Sequence, residues 1–149
     1  MKHYIIDGNN LLHKIKSLKT ILSKDKQSPR ERLAFMVERF SFGKNIKVSL
    51  HYDGFERMPI RTSNTKIYYS DKKAADEDIR NEIESSKNRR NLIVVTSDDA
   101  LREFARKCGC VSLLSEDFAV MLKPKDDSDD EKKRIESIGN NEYFKNIFK

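Results

Sequence analysis

The chain has no tryptophan, only two cysteines and no long apolar run, and the last two shortages exclude classes of protein. No stretch approaches the roughly 20 apolar residues needed to cross a membrane. The first apolar run, Tyr4-Ile5-Ile6, is too short for the core of a signal peptide. Cys108 and Cys110 flank Gly109, too close for a framework disulfide and too few for a zinc site. They read as small buried residues at a helix end and a strand start. His3, His13 and His51 show neither metal-ligand nor triad spacing, which points to core or surface roles. There is no Gly-rich phosphate loop and no internal repeat. The expectation is a cytoplasmic protein without membrane association.

What is present describes one polar globular domain. The 149 residues are 37% hydrophobic and 36% charged, long enough to bury a real core. The net charge of +6 lies wholly in residues 1–122, which carry 23 basic and 17 acidic side chains. Residues 123–134 balance five basic against five acidic residues, and 135–149 balance two against two. The first of these reads as a charged linker. The second, with Ile135, Ile138, Tyr143, Phe144, Ile147 and Phe148, is too apolar to stay in water. It is expected to dock on the domain 1–122 or to bind a partner.

Periodicity alternates between strand and helix. Tyr4-Ile5-Ile6-Asp7 is a short strand. Leu11, Ile15, Leu18 and Leu22 then recur on one helical face. Ser28-Pro29-Arg30-Glu31 has the form of a capped helix start, continued by Leu33, Met36, Val37 and Phe40 and stopped at Gly43. Ile46, Val48, Leu50 and Tyr52 alternate as a second strand ending in Asp53-Gly54. A long basic loop, 55–64, leads to a third strand over 65–70. A helix over about 73–86 places Asp76, Ile79 and Ile83 at i, i+3 and i+7, which puts Asp76 on the face against the sheet. Leu92 to Val95 is a buried strand. Leu101, Phe104, Ala105 and Cys108 form the next helical stripe, stopped at Gly109, and 111–114 is a last strand. The order β-α-α-β-β-α-β-α-β predicts an α/β, three-layer fold with a mostly parallel central sheet.

In such sheets ligands bind at the carboxyl ends of the strands. Asp7 and Asp98 follow two of those ends, and Asp76-Glu77-Asp78 lies between them in sequence. Setting aside these acids and Asp99, the rest of 1–122 carries +12. A basic surface around an acidic centre suits a protein that holds metal and polyanion together. Each acid also has a plainer role. Asp7-Gly8 is a turn signal, Ser97 or Asp98 can cap a helix, and the 76–78 acids can offset a helix dipole. Asp53, ending the second strand, is a further candidate that a Tyr-Asp-Gly turn explains.

Three blocks, Tyr4-Ile5-Ile6-Asp7-Gly8-Asn9-Asn10-Leu11, Ala75-Asp76-Glu77-Asp78-Ile79 and Val94-Val95-Thr96-Ser97-Asp98, occur in this order. They resemble the NYN domains of the YacP-like group in the PIN-like nuclease superfamily. The resemblance covers about residues 4–122. It implies a PIN-like sheet with strand order 3-2-1-4-5, which would make the Asp7 and Asp98 strands neighbours. It also implies a divalent-metal site and RNA cleavage, with a ribosome-associated mRNA endonuclease among the members. The chain departs from the pattern in its polar tail from Lys123, and Asp98-Asp99 leaves open which of the pair is the ligand.

The chemistry requires hard oxygen donors. Mg²⁺ or Mn²⁺ polarises phosphate oxygens and lowers the pKa of water, and two or three carboxylates suffice because Mg²⁺ keeps several waters. Asp7, Asp76 and Asp98 are the expected metal ligands, with Glu77 and Asp99 behind them or on a second ion. Asn10 is expected to hold a carboxylate or the scissile phosphate. Thr96 and Ser97 are expected to donate to phosphate near a helix N-terminus. Lys14, Arg57, Arg61, Lys66, Lys72 and Arg80 are the expected RNA contacts. The partners so implied are single-stranded RNA or mRNA, with a ribosome as a further candidate, and the alternative is a non-catalytic RNA-binding scaffold.

Overall fold

The computed structural model describes residues 1–124, and the expectations for 125–149 lie outside that range. Within it, the elements are β1 (Lys2–Asp7), α1 (Gly8–Leu12), α2 (Lys16–Leu22), α3 (Gln27–Ser41), β2 (Ile46–Tyr52), β3 (Thr65–Tyr69), α4 (Ala75–Ser85), β4 (Leu92–Val95), α5 (Asp99–Lys107), β5 (Val111–Leu113) and α6 (Ser115–Leu122). The five strands form one sheet of order β3-β2-β1-β4-β5, and every pairing is parallel. That is the order the sequence resemblance implied. Among the described residues, no helix is long and apolar enough to cross a membrane.

Strand parity sorts the side chains into two cores. Tyr4 and Ile6, with Val48, Leu50, Tyr52, Ile93 and Val95, face α1, α3 and α6. Ile5 and Val94 face α4 and α5. The larger core holds an aromatic cluster in which Phe40 meets Tyr4 and Phe118 edge-on, at 5.4 and 5.2 Å between centroids. Asp7 shares the parity of His3 and Ile5, so it emerges on the side of α4 and α5, where the central strand ends.

Four local expectations are corrected. The single helix foreseen over 11–22 is two, α1 and α2, and the chain between them leaves Ile15 only partly buried. Ser28 is not the cap of α3, which starts at Gln27. Asp25 accepts the Gln27 N–H (2.9 Å), and the Gln27 side chain bonds Glu31 (2.9 Å). The buried stripe of α4 is Ala75, Ile79 and Ile83 at i, i+4 and i+8, so the small Ala75 takes the inward place assigned to Asp76. Finally, α6 was not foreseen. It buries Phe118, Ala119, Met121 and Leu122.

The turn from β1 into α1 explains Gly8. A Cβ there would lie 2.6 Å from the His51 carbonyl oxygen and 2.7 Å from the Tyr52 ring. Ala would improve helix propensity, so any loss on substitution reports this close approach. Gly8→Ala is expected to destabilise the protein by about 1–3 kcal/mol, the usual cost of overpacking. Thermal unfolding checks this, and an unchanged midpoint would contradict it.

Candidate functional site

Asp7 is the last residue of the central strand, mostly buried, and held through its side chain. The Thr96 hydroxyl, itself fully buried, donates to Asp7 Oδ2 (2.9 Å) and accepts the Asp98 N–H (3.1 Å). One hydroxyl therefore ties the end of β1 to the start of α5. Burial pushes the Asp7 carboxyl up to about 6. The Thr96 hydroxyl and the nearby Asn10 amide pull the other way, and the charges of Asp53 and Asp98 add to the rise. Among the described residues, no Lys, Arg or His lies within ion-pair distance of Asp7.

Asp53 and Asp98 each use one oxygen on a helix start. Asp53 Oδ1 accepts the Ala75 N–H (2.7 Å) and so fixes the beginning of α4. Asp98 Oδ1 accepts the Leu101 N–H (3.0 Å) as the cap of α5. The plainer capping role of Asp98 is thus real, and its charge acts on Asp7 as well. Asp99 points away, its side chain 98% exposed and loosely paired with Arg102 at 3.8 Å.

Asp76, next to the Ala75 that Asp53 holds, is engaged with a cation. Its side chain is half exposed and pairs with Arg80 Nε at 3.1 Å, and the Arg80 guanidinium lies over the Phe104 ring at 4.7 Å. Glu77 is exposed on the same first turn of α4. Among the described residues, no three His, Cys, Asp or Glu side chains form a ready cage for a metal ion. The donors around Asp7 suit a hydrated ion better, since Mg²⁺ commonly takes one or two carboxylates directly and keeps its waters.

The remaining polar residues act as braces. Asn10 Oδ1 accepts the Ser97 N–H (2.9 Å) and the Ser115 hydroxyl (2.7 Å), joining α1 to the β4–α5 turn and to α6. The Ser97 hydroxyl accepts the Ser115 N–H (3.0 Å) and donates to Glu116. Asn9 Oδ1 accepts the Asp53 N–H (3.1 Å), joining the ends of β1 and β2.

Sequence reasoning missed three contributors. Arg30, read as part of a helix cap, is buried. It donates to the carbonyls of Asp53 (2.6 Å) and Phe55 (3.0 Å), fixing the turn after β2. Glu38 accepts the N–H groups of Ser63, Asn64 and Thr65, which pins the far end of the 55–64 loop. Glu82 bonds His51 (2.8 Å) and Ser49 (2.7 Å), and His3 reaches the same Ser49 (2.8 Å), so α4 is locked to β1 and β2. Only a polar residue on the inward edge of a helix signals such a role beforehand.

With both ends of that loop tied down, Arg57 and Arg61 remain exposed on it. Lys14 and Lys72 are exposed too, and Lys66 is exposed above the Tyr68 ring at 5.4 Å. Tyr68 in turn stacks on His51 at 4.8 Å.

A family model described as the YacP-like NYN domain matches residues 4–148. A crystal structure of Rae1 (YacP) from Bacillus subtilis, in mutant form, superposes with a TM-score of 0.71 at 16% identity, over 92% of this chain and 80% of that one. Another structure of Rae1 (YacP) from Bacillus subtilis gives 0.66 at 17% identity, over 94% and 80%. At such identity the likeness is one of fold. No curated protein matches the chain.

The raised Asp7 pKa has a consequence for the metal-free protein. An unfolded Asp titrates near its ordinary value of 3.8 and the folded one near 6, so folding carries no penalty from Asp7 in acid and the full penalty above the folded pKa. Asp7→Asn is expected to stabilise the protein at neutral pH by at most about 3 kcal/mol. The gain should fade as pH drops through 6 towards 3.8. Unfolding midpoints of both proteins across that range check the sign, and a pH-independent difference would contradict it.

Proposed function

Since the chain belongs to the YacP-like NYN family, a nuclease-like domain, we propose that it is a metal-dependent endoribonuclease hydrolysing RNA phosphodiester bonds. The observation that carries this reading is the buried Asp7 carboxylate, held at the carboxyl end of the central strand with acids beside it and no cationic partner among the described residues. A protein that only bound RNA would gain nothing from repelling phosphate there. A divalent cation is the partner that such a group lacks.

Asp7, Asp98 and Asp53 would hold Mg²⁺ or Mn²⁺, directly or through water. When bound, the ion would polarise a phosphate oxygen and lower the pKa of a water molecule. Asp76 directly follows the residue whose N–H Asp53 accepts, so it would join from the outside through water, with Glu77 further out. Asp99 keeps a screening role at most. Thr96 holds the Asp7 carboxylate in one orientation and so sets where its other oxygen points. Asn10 and Ser97 keep the β1 and β4 ends at a fixed separation, which makes them positioning residues.

Lys14, Arg57, Arg61, Lys66 and Lys72 would neutralise RNA phosphates around this centre. Arg80 would contribute less, because Asp76 already engages it. Single-stranded RNA fits best, since its backbone can bend into a crevice at the strand ends and its bases can be splayed out.

Cleavage and binding should separate by mutation. Asp7→Asn is expected to reduce Mg²⁺- or Mn²⁺-dependent cleavage by at least about 100-fold, as loss of a metal ligand or its partner commonly does, and to keep RNA affinity. Single-turnover assays on naked and ribosome-engaged RNA check this. Wild-type binding without metal-dependent cleavage of either substrate would establish a non-catalytic binder instead.

The triple variant Arg57→Ala/Arg61→Ala/Lys66→Ala should do the opposite. It should weaken binding broadly across sequences and lower the log–log salt slope by about 0.7 per lost contact. Cleavage at saturating RNA should largely survive. Salt-titrated binding of both proteins is the measurement, and an unchanged slope would remove these residues from the interface.

A further inference from the structure

Two clefts meet beside the carboxylates, on a side of the molecule where the sequence showed only a polar gap. The first, of about 300 Å³, is lined by Asp53, Asn9, His13 and Lys26, with Leu22 and the almost fully buried Leu12 as its apolar part. The second, of about 260 Å³, shares Leu22 and Lys26 with the first and continues to Lys24 and Arg57. Together they make one furrow between the α2–α3 turn and the turn after β2. It starts at an acid that raises the Asp7 pKa and ends among cations.

The charges along it are not equivalent. Arg30 lines the first cleft, but both of its terminal nitrogens are committed to the Asp53 and Phe55 carbonyls, so it stiffens the wall. Asp25 lines the second, and its Oδ1 accepts the Gln27 N–H, which turns one acidic oxygen onto the backbone. Lys24, Lys26, His13 and Arg57 are exposed. An apolar seat for one base, bordered by exposed cations that can meet phosphates, is what an unpaired strand needs. A duplex cannot use it, because its bases stay stacked inside a rigid cylinder.

We propose that this furrow carries a single-stranded RNA segment away from the carboxylates. One base rests against Leu22, and successive phosphates lie on Lys26, Lys24 and Arg57. The proposal rests on the nuclease reading and adds a direction to it. Since no Phe, Tyr or Trp lines either cleft and His13 is the single ring there, the hold comes mainly from phosphate charge and apolar contact. Binding there should be steeply salt-dependent and nearly indifferent to base identity.

The test uses the full chain carrying Asp7→Asn, so that RNA is bound and not cut. Its affinities for a labelled 12-nucleotide single strand and for a blunt RNA duplex are compared with those after adding Lys24→Ala/Lys26→Ala. Both lysines are exposed, so folding should be unaffected, and thermal unfolding verifies it. The double variant is expected to lose about tenfold in single-strand affinity and about 1.4 in salt slope, for two contacts, with little change for duplex. A 4-thiouridine-labelled strand should crosslink to peptides spanning residues 12–26 or 53–57. Unchanged single-strand affinity, equal loss for strand and duplex, or crosslinks confined elsewhere would overturn the furrow. In those cases wild-type binding and cleavage would leave the nuclease reading standing. A wild type that neither binds nor cuts RNA would overturn both.

Discussion

The organising constraint of this structure is a carboxylate that folding has taken out of water with no counter-charge among the described residues. Asp7 ends the central strand of a parallel sheet, and burial raises its pKa to about 6. Left alone, such a group would be protonated or would loosen the fold. Here it is kept in place by the Thr96 hydroxyl from the neighbouring strand's exit, while Asp53 and Asp98 increase its cost. Under the proposed reading, a bound cation would offset that cost, so the site would trade stability for function.

The surrounding polar residues make sense as the framework for that carboxylate. Asn9 and Asn10 follow it after Gly8. One fixes the end of β2, and the other fixes the β4–α5 turn and α6. Asp53 orders α4 through its first N–H, and Asp98 orders α5 through the N–H of its third residue, Leu101. The acids therefore act twice, as caps that build the crevice and as charges within it. Arg30, Glu38 and Gln27 extend this bracing outwards by pinning the basic loop at its start, end and middle. Its arginines are then presented from a fixed backbone, which would lower the entropy lost in the proposed RNA binding.

Much of this was legible in the sequence, for identifiable reasons. The strands at Tyr4, Ile46 and Leu92 are short apolar or alternating runs ending in turn or acidic residues, and each lies where expected. Gly43 and Gly109 stop helices with positive φ, as their positions foretold. The α4 face was misread because Ile79 and Ile83 fit two stripes, and only packing shows that Ala75 completes the buried one. The α1–α2 break has no Pro or Gly to mark it. The start of α6, Ser115 followed by Glu116 and Asp117, carried acids in a first turn, the signal that was overlooked. The His3–Ser49–Glu82–His51 network joins residues 31 to 46 positions apart, which local patterns cannot reveal. In the same way Asp53 looked like part of a turn until the sheet order set its strand beside that of Asp7.

The central claim is that the missing partner of Asp7 is a divalent cation. It is tested most directly by locating Mn²⁺ in crystals of the full chain by anomalous diffraction. The account predicts one peak at coordination distance from an Asp7 carboxylate oxygen, about 2.1–2.2 Å. Asp98 or Asp53 should be bound to the same ion directly or through one water, with several waters retained. A peak held by Asp76 and Glu77 away from Asp7, or no peak near Asp7 at saturating Mn²⁺, would contradict it.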